Sequence, residues 1–367
     1  MSDNKTSYQQ ILKATSILGS VQFLTILFSV IRTKIIAVFI GPAGMGIIAL
    51  LNSTLNLIGG VTGLGLESSA IKSISENYKN DNSKSVSKIA EIVKKIMFFT
   101  GILGAFLTIV FSKYISILSF GNDSQMYSLI FLSVTLIFKQ LTSSHMVVLQ
   151  GLRKLKLLAK ANLYGNLFGL LFSIPIYYFL GIDAIVPTII LSSFAAFVFT
   201  FYYASKVQLQ KESIKKSQLL SEGKSIIQLG ITLTISSLLT LLSAYLTQIY
   251  ISNVSNTEQV GLYSAGFTLL NSYVGTIFTV MSTDYYPRLA AINSDNTKVR
   301  VVVLQQSYIS ILLITPIIVL FLTFVPFIVK VLYSSKFLVI ISMVCFGIIG
   351  MLFSARLFSM GDILIAK

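Results

Sequence analysis

Long apolar runs recur along the whole chain, and they constrain its fold more than any other feature. Each run covers about 20 residues or more, the length that an α-helix needs to cross the hydrocarbon core of a bilayer. A transmembrane β-barrel would instead show short segments of alternating polarity. The chain is therefore predicted to be an all-α polytopic membrane protein. The ten predicted spans are 11–40, 44–70, 88–112, 125–150, 157–180, 182–205, 225–252, 259–290, 299–330 and 337–364.

The charged residues are few and lie mostly on one side of the predicted spans. They make up 11% of the chain, against 54% hydrophobic residues, whereas soluble domains carry about 25% charged residues. Of the 28 lysines and arginines, 21 lie on the side of the N-terminus, counting those at the inner ends of spans, three on the opposite side and four in the interior of spans. The positive-inside rule then places the N-terminus in the cytoplasm. The same rule accounts for the net charge of +15, so no nucleic-acid partner is expected.

Few residues are suited to catalysis or to metal binding. The single cysteine, Cys345, allows no intrachain disulfide, and with the single histidine, His145, it leaves no Cys/His metal-ligand spacing. The loops on the outer side are short, and the sequence contains no G-x-x-x-x-G-K-[ST] nucleotide-binding loop. We therefore predict that the protein is not an enzyme and uses no cofactor or metal.

An internal repeat predicts two related lobes. The segment GPAGMGIIALLNS opens the second span and TEQVGLYSAGFTLLNS opens the eighth, with Gly46 aligned on Gly261. Span four laid on span ten superposes Lys139 on Arg356. Parallel repeats about an axis along the membrane normal are typical of transporters, with the substrate site between the halves. We predict an N-terminal six-helix lobe at 1–205, a lysine-rich cytoplasmic linker at 206–224 and a C-terminal lobe at 225–367.

The second lobe contains four predicted spans, whereas the first contains six. If the two lobes are pseudo-symmetric around a central cavity, the second is truncated and about ten of twelve spans are present. We expect the natural protein to continue for about 50 residues, because two further spans need about 20 residues each plus their loops.

Polar residues at helical spacing form stripes on several predicted spans. In span one, for example, Gln22, Ser29 and Arg32 lie on one helical face. A polar stripe is unfavourable against lipid, so these residues are expected either to line a shared water-accessible cavity or to hydrogen-bond between packed helices. The uncharged residues predicted to line a cavity are Gln22, Ser29, Asn52, Asn56 and Thr142.

Four cations lie within the spans, namely Arg32, Lys34, Lys139 and Arg356. A charge at the bilayer centre costs about 2.5–3.5 kcal/mol on insertion scales, so buried cations indicate function. An arginine can bind two phosphate oxygens with its planar fork, while a lysine acts as a point charge. All four cations are therefore predicted to bind a substrate that carries phosphate or carboxylate.

Other roles remain open for these charges. Lys34 lies near the outer end of its span, where its stem can snorkel towards water. An ion pair with Glu67, Asp284 or Asp362 is the alternative for the deeper Lys139 and Arg356. Glu67 and Asp284 are themselves candidates for coupling transport to protons or Na⁺, or are acids at the ends of interfacial helices.

The first 80 residues contain the segments RTKIIAVFIGPAGMGIIAL and GVTGLGLESSAIKSISE. These segments resemble the O-antigen flippases, the polysaccharide transporters of the multidrug/oligosaccharidyl-lipid/polysaccharide exporter (MOP) superfamily. The resemblance implies two six-helix lobes and a V-shaped, cation-lined cavity that works by alternating access. It also implies functional cations in span one, where Arg32 and Lys34 fall. The chain departs from the family in lacking the last pair of helices.

On this resemblance we expect a flippase that moves undecaprenyl-diphosphate-linked oligosaccharide, an O-antigen or capsule repeat unit, across the bacterial inner membrane. The expected partners are this substrate and membrane lipids, together with a polysaccharide polymerase and a chain-length regulator. The alternative is a multidrug exporter or another lipid-linked-sugar exporter of the same superfamily. The sequence leaves open which glycan is moved, which ion couples transport and whether the chain forms oligomers.

Overall fold

The computed structural model of the protein describes residue 21, residues 23–79, 83–207, 216–275 and 296–366, and positions 278, 281, 285 and 289. The chain divides into two compact units. The first consists of 1–40 and 47–257, and the second of 41–46 and 258–367. The described residues contain helices and turns but no β-strand, in agreement with the predicted all-α class.

The first unit is built from eight helices. The first, α1, covers the described residues 23–39. The following helices are α2 (Gly41–Gly63), α3 (Leu66–Lys79), α4 (Ser83–Phe120), α5 (Met126–Gly151), α6 (Leu155–Leu180), α7 (Ile185–Ser205) and α8 (Lys216–Val254), with a 3₁₀ turn at Gly181–Ala184 between α6 and α7. The first six residues of α2 belong to the second unit.

The second unit contains α9 (Thr257–Thr268), which continues as a π-helical segment, Leu269–Val274. It also contains α10 (Asn296–Leu332), a 3₁₀ turn at Ser335–Ile340 and α11 (Ile341–Ala366). Buried hydroxyls join these elements. The Tyr333 hydroxyl donates to the Ala265 carbonyl at 2.9 Å, and the Tyr285 hydroxyl donates to the Ser359 carbonyl at 2.6 Å.

The structure confirms a polytopic membrane fold. Its described residues contain seven segments long and apolar enough to cross a membrane: Gly41–Gly63, Lys84–Phe120, Met126–Gly151, Leu155–Ser205, Thr234–Val254, Val299–Leu332 and Ser335–Met360. The segment Leu155–Ser205 combines two predicted spans, 157–180 and 182–205. The predicted spans 11–40 and 259–290 lie partly outside the described residues.

One predicted span, 44–70, is interrupted in the structure. Helix α2 ends at Gly63, and both Leu64 and Gly65 adopt left-handed backbone conformations, with φ of 49° and 66°. Glycine reaches this region at little steric cost, which allows the chain to turn before α3 begins. A side chain at Gly65 would also collide with the carbonyl of Gly230 in α8. The sequence GLGL therefore marks a turn and a close helix crossing.

Small residues set the packing of α6 against α7. A Cβ atom placed on Gly165 would lie 3.2 Å from the Ala196 Cα atom, and one placed on Gly169 would lie 3.4 Å from the Ser192 Cβ atom. Small residues of this kind allow membrane helices to approach closely and to pack through their backbones. The approach holds Ser192 beside α6, on the side of the unit that contains the cavity described below.

The core of the first unit lies where α3, α4, α5 and α8 meet. Leu66, Ile74, Ile92 and Met97 are fully buried there and pack with Ile226 of α8. Helix α8 was expected to open the second lobe, after the linker 206–224. The boundary between the compact units thus falls one helix later than the predicted linker, and the division of the chain into lobes at 206–224 stays a prediction.

Candidate substrate cavity

A cavity of about 850 Å³ lies wholly within the first unit. Seven helices contribute to its wall: α1, α2, α3, α5, α6, α7 and α8. The volume is within the range of pockets that enclose small ligands. Its charged and polar lining residues are Arg32, Asn52, Asn56, Glu67, Ser68, Lys139, Gln140, Thr142, Ser143, Asn166, Tyr177, Ser192, Ser193, Thr234 and Ser237.

Arg32 enters the cavity from α1 and is half-buried. Its Nη2 atom donates a hydrogen bond to the Ser192 hydroxyl of α7, at 3.3 Å. A guanidinium group has five N–H donors, and this contact uses one of them. Arg32 is thus held in place by a neutral partner and keeps donors for a ligand.

Lys139 enters the cavity from α5 and is also half-buried. Its Nζ atom donates a hydrogen bond to Oδ1 of Asn56 on α2, at 3.1 Å. An ammonium group has three donors, so this cation too retains the capacity to bind an anion. The neighbouring Gln140 donates to the Gly59 carbonyl at 3.4 Å and links the same two helices.

Neither of these two cations is neutralised by a carboxylate of the described residues. The structure contains an ion pair between Lys94 and Glu91 of α4, with a separation of 3.0 Å, but Arg32 and Lys139 lie at ion-pair distance from no described acid. One acidic residue, Glu67, lines the cavity, and it is exposed at the start of α3. The lining therefore carries an excess of positive charge.

The structure brings together six of the residues predicted to form the site. Arg32, Asn52, Asn56, Glu67, Lys139 and Thr142 all line this cavity. The Thr142 hydroxyl donates to the Phe138 carbonyl of its own helix, at 2.8 Å. Thr142 therefore adds a polar group to the cavity wall, but its hydroxyl hydrogen is already donated to Phe138.

Three other predicted site residues within the described part of the chain are absent from its lining. Lys34 is half-buried and Ser29 is exposed, and neither is part of the cavity wall. Arg356 belongs to α11 of the second unit, where its side chain is exposed. Gln22 and Asp284 lie outside the described residues. The substrate-binding role predicted for Lys34 and Arg356, the coupling role of Asp284 and the cavity-lining role of Gln22 and Ser29 stay predictions.

Two polar residues near Arg32 line the cavity, although the sequence does not predict them as site residues. Ser192 belongs to no polar stripe in the sequence, although it is one of two adjacent serines in a predominantly apolar span. Tyr177 is only 1% exposed. Its hydroxyl lies near Arg32 and the Thr188 hydroxyl, but it makes no contact of hydrogen-bond geometry. Because a buried tyrosine hydroxyl usually has a hydrogen-bond partner, Tyr177 is a further candidate for the site.

Residues 35–342 match the protein family described as "Polysaccharide biosynthesis protein". The chain belongs to this family. The match covers most of both compact units, and it confirms the resemblance to polysaccharide transporters of the O-antigen flippase type. No curated protein sequence matches the chain.

Solved structures of MOP superfamily transporters share the fold of this polysaccharide biosynthesis protein. An inward-facing multidrug resistance MATE family transporter superposes with a TM-score of 0.71 at 13% identity, over 96% of this chain and 87% of that chain. A MOP superfamily transporter from Pyrococcus furiosus, described by the reverse polarity of its binding pocket, superposes with a TM-score of 0.61 at 14% identity, over 96% of this chain and 84% of that chain. A Vibrio cholerae MATE transporter superposes with a TM-score of 0.59 at 14% identity, over 100% of this chain and 86% of that chain.

At these identities the likeness establishes the fold. Together with the family match, it identifies a multi-pass membrane protein of the polysaccharide biosynthesis family with the fold of MOP superfamily transporters.

Proposed function

We propose that the protein flips undecaprenyl-diphosphate-linked oligosaccharide across the bacterial inner membrane by ion-coupled alternating access. One observation carries this proposal. Arg32 and Lys139 face the same cavity, each is held by a neutral side chain, and no described carboxylate pairs with either. The family match to polysaccharide biosynthesis supports the glycan part of the proposal.

Unpaired cations in a membrane protein need a reason to persist. Each costs several kilocalories per mole to bury, and the cost is offset when an anion binds beside it. A diphosphate carries charged oxygen atoms on each of its two phosphorus atoms. A guanidinium group can bind two of these oxygens at once, and an ammonium group binds them as a point charge. We assign the diphosphate to these cations and the sugars to the polar wall formed by Asn52, Asn166 and Ser193.

The prenyl chain stays in lipid in this mechanism. Transfer of the long apolar tail into a polar cavity would expose hydrocarbon to water, at about 25 cal/mol for each square ångström of apolar surface. The headgroup alone therefore enters the protein. The family resemblance extends the proposal to Lys34 as a further substrate-binding cation, and the internal repeat, which aligns Arg356 with Lys139, extends it to Arg356.

Glu67 is the proposed coupling residue within the cavity. It is the acidic member of the described lining, so its protonation or its binding of Na⁺ would change the charge that the substrate meets. Asp284 is a second proposed coupling residue. The proposal further places the N-terminus in the cytoplasm and the protein beside a polysaccharide polymerase and a chain-length regulator.

A multidrug exporter is the second candidate, because MATE family transporters share the fold. A cavity that selects cationic drugs needs acidic groups to attract them. The described lining has two basic side chains and one acidic side chain, which favours an anionic substrate.

Complementation of a strain that lacks the gene tests the proposed function. We expect Arg32→Gln and Lys139→Gln to abolish surface polysaccharide and to cause lipid-linked repeat units to accumulate, with unchanged protein level. Lys113→Gln is the matched control, since Lys113 is exposed on α4 and does not line the cavity. Normal polysaccharide in both cavity variants would refute the proposal, and altered drug susceptibility with intact polysaccharide would favour the exporter.

A further inference from the structure

The two cations of the cavity lie at different depths along the helices. Arg32 is seven residues before the end of α1 at residue 39, and Ser192 is seven residues after the start of α7 at Ile185. At a rise of 1.5 Å per residue, both lie about 10 Å from these outer helix ends. The hydrogen bond between the two side chains requires such a common level.

The second pair lies deeper. Lys139 is thirteen residues after the start of α5 at Met126, about 20 Å along the helix, and Asn56 is fifteen residues after the start of α2 at Gly41, about 22 Å along it. These two side chains also share a hydrogen bond. Because α1 leads directly into α2 at the outer side, the helix ends give one reference level, and the two pairs are about 10 Å apart in depth.

The two pairs are separate groups of hydrogen-bond donors, about 10 Å apart in depth. Arg32 is bonded to Ser192 and Lys139 to Asn56, so each cation acts with its own neighbours. A headgroup that moves along the cavity therefore meets one group before the other.

The neighbours of Arg32 form a site made of hydrogen-bond donors. Arg32 donates to Ser192 Oγ, which leaves the serine hydrogen free to donate to a ligand. The Tyr177 hydroxyl is buried, lines the cavity and has no partner at hydrogen-bond geometry. A guanidinium group and two hydroxyl donors, with no described carboxylate beside them, suit a tetrahedral oxyanion.

The neighbours of Lys139 form a simpler site. The Asn56 side chain accepts one ammonium hydrogen through Oδ1, so its amide nitrogen is available to donate. This arrangement has one compact charge and an amide, and it binds an anion with less geometric selectivity than the arginine site.

We propose that the cavity holds two separate anion sites, an inner one at Lys139 and Asn56 and an outer one at Arg32, Ser192 and Tyr177, which the diphosphate headgroup occupies in turn. This inference rests on the proposed function and adds Tyr177 and Ser192 as substrate-binding residues. The inner site receives the headgroup from the cytoplasmic side, and the outer site holds it before release.

Calorimetric titration of the purified full chain in detergent with geranyl diphosphate, a short prenyl diphosphate, tests the proposal. The wild type should bind two equivalents, and Arg32→Gln and Lys139→Gln should each retain one. Tyr177→Phe should weaken the outer site about tenfold through loss of a hydrogen bond to a charged group, while the inner site is unchanged. Tyr178→Phe is the control, because Tyr178 is 64% exposed on the same helix.

The outcomes separate this inference from the proposed function. One equivalent in the wild type that both Arg32→Gln and Lys139→Gln abolish would show a single shared site, which overturns the two-site proposal and keeps the function. Two equivalents with no effect of Tyr177→Phe would overturn the outer site as assigned. Absence of binding to the folded wild type, checked by thermal unfolding, would instead count against the proposed function itself.

Discussion

Gly261 lies directly against Gly46, the residue with which the internal repeat aligns it. A Cβ atom on Gly261 would be 2.8 Å from the Gly46 backbone nitrogen and would collide with the Pro42 carbonyl. Equivalent positions that contact one another are the signature of a two-fold axis, as in isologous interfaces. The pseudo-symmetry of the start of α2 and the start of α9 stays a prediction, and the contact shows that these two helix starts pack closely.

The replacement Gly261→Ala should destabilise the protein. The new methyl group would meet backbone atoms of Pro42 and Gly46, which have no rotamer to change, so the helices must separate. Such overpacking costs about 1–3 kcal/mol. Thermal unfolding in detergent measures the effect, with Gly350→Ala as control, because a Cβ on Gly350 has no atom within 4 Å. Equal unfolding temperatures for the two variants would contradict the close packing.

Gly41 and Gly65 allow the cost of a left-handed backbone to be separated from the cost of a collision. Both have φ of 66°, but a side chain on Gly41 has open space around it, whereas one on Gly65 meets the Gly230 carbonyl and Thr234. Gly41→Ala should lose about 1–2 kcal/mol of stability from the left-handed conformation alone.

Gly65→Ala should lose more than Gly41→Ala, since it adds the collision with α8 to the same backbone strain. Chemical unfolding followed by intrinsic tyrosine fluorescence gives both values. If the two variants lose equal stability, the close crossing of the turn and α8 is not a feature of the protein in its membrane.

Helical periodicity was sufficient to predict the α2 side of the cavity. Asn52 and Asn56 are four residues apart, a spacing that predicts one helical face, and both line the cavity. This works because the face of a helix is a local property, fixed by 3.6 residues per turn. Although the chain turns at Leu64 and Gly65, Glu67 in the following helix still lines the cavity.

The other side of the cavity depends on tertiary packing, which the sequence does not display directly. Ser192 reaches Arg32 because Gly165 and Gly169 allow α6 and α7 to approach. Tyr177 lies in an aromatic-rich segment in which nothing distinguishes it from its exposed neighbour Tyr178. Its missing hydrogen-bond partner can be recognised only in the folded structure.

Asn56→Asp should abolish transport. The substitution places a carboxylate where Oδ1 of Asn56 now accepts a hydrogen bond from Lys139 at 3.1 Å, so the lysine would gain a permanent counter-ion and lose its attraction for the substrate. We expect export of polysaccharide to fall by at least about tenfold, as an interaction of a few kilocalories per mole implies. Surface polysaccharide, normalised to protein level, measures the effect.

Asn56→Ala is the control for this prediction. It removes the same hydrogen bond but adds no charge, so it should reduce export less than Asn56→Asp does. Equal loss in the two variants would mean that Asn56 acts through its hydrogen bond to Lys139 and that the free charge of the lysine is not what matters.

Glu67→Gln should uncouple transport from its driving ion. The amide keeps the size of the side chain but can neither release a proton nor bind Na⁺ as a carboxylate does. In membrane vesicles that carry the protein, translocation of a radiolabelled prenyl-diphosphate-linked sugar should lose its stimulation by an imposed proton or Na⁺ gradient and fall to the rate without a gradient. Glu76→Gln, an exposed position of α3 outside the cavity wall, should keep full stimulation. Gradient stimulation that survives in Glu67→Gln would remove Glu67 from the coupling mechanism and leave Asp284 as the proposed coupling residue.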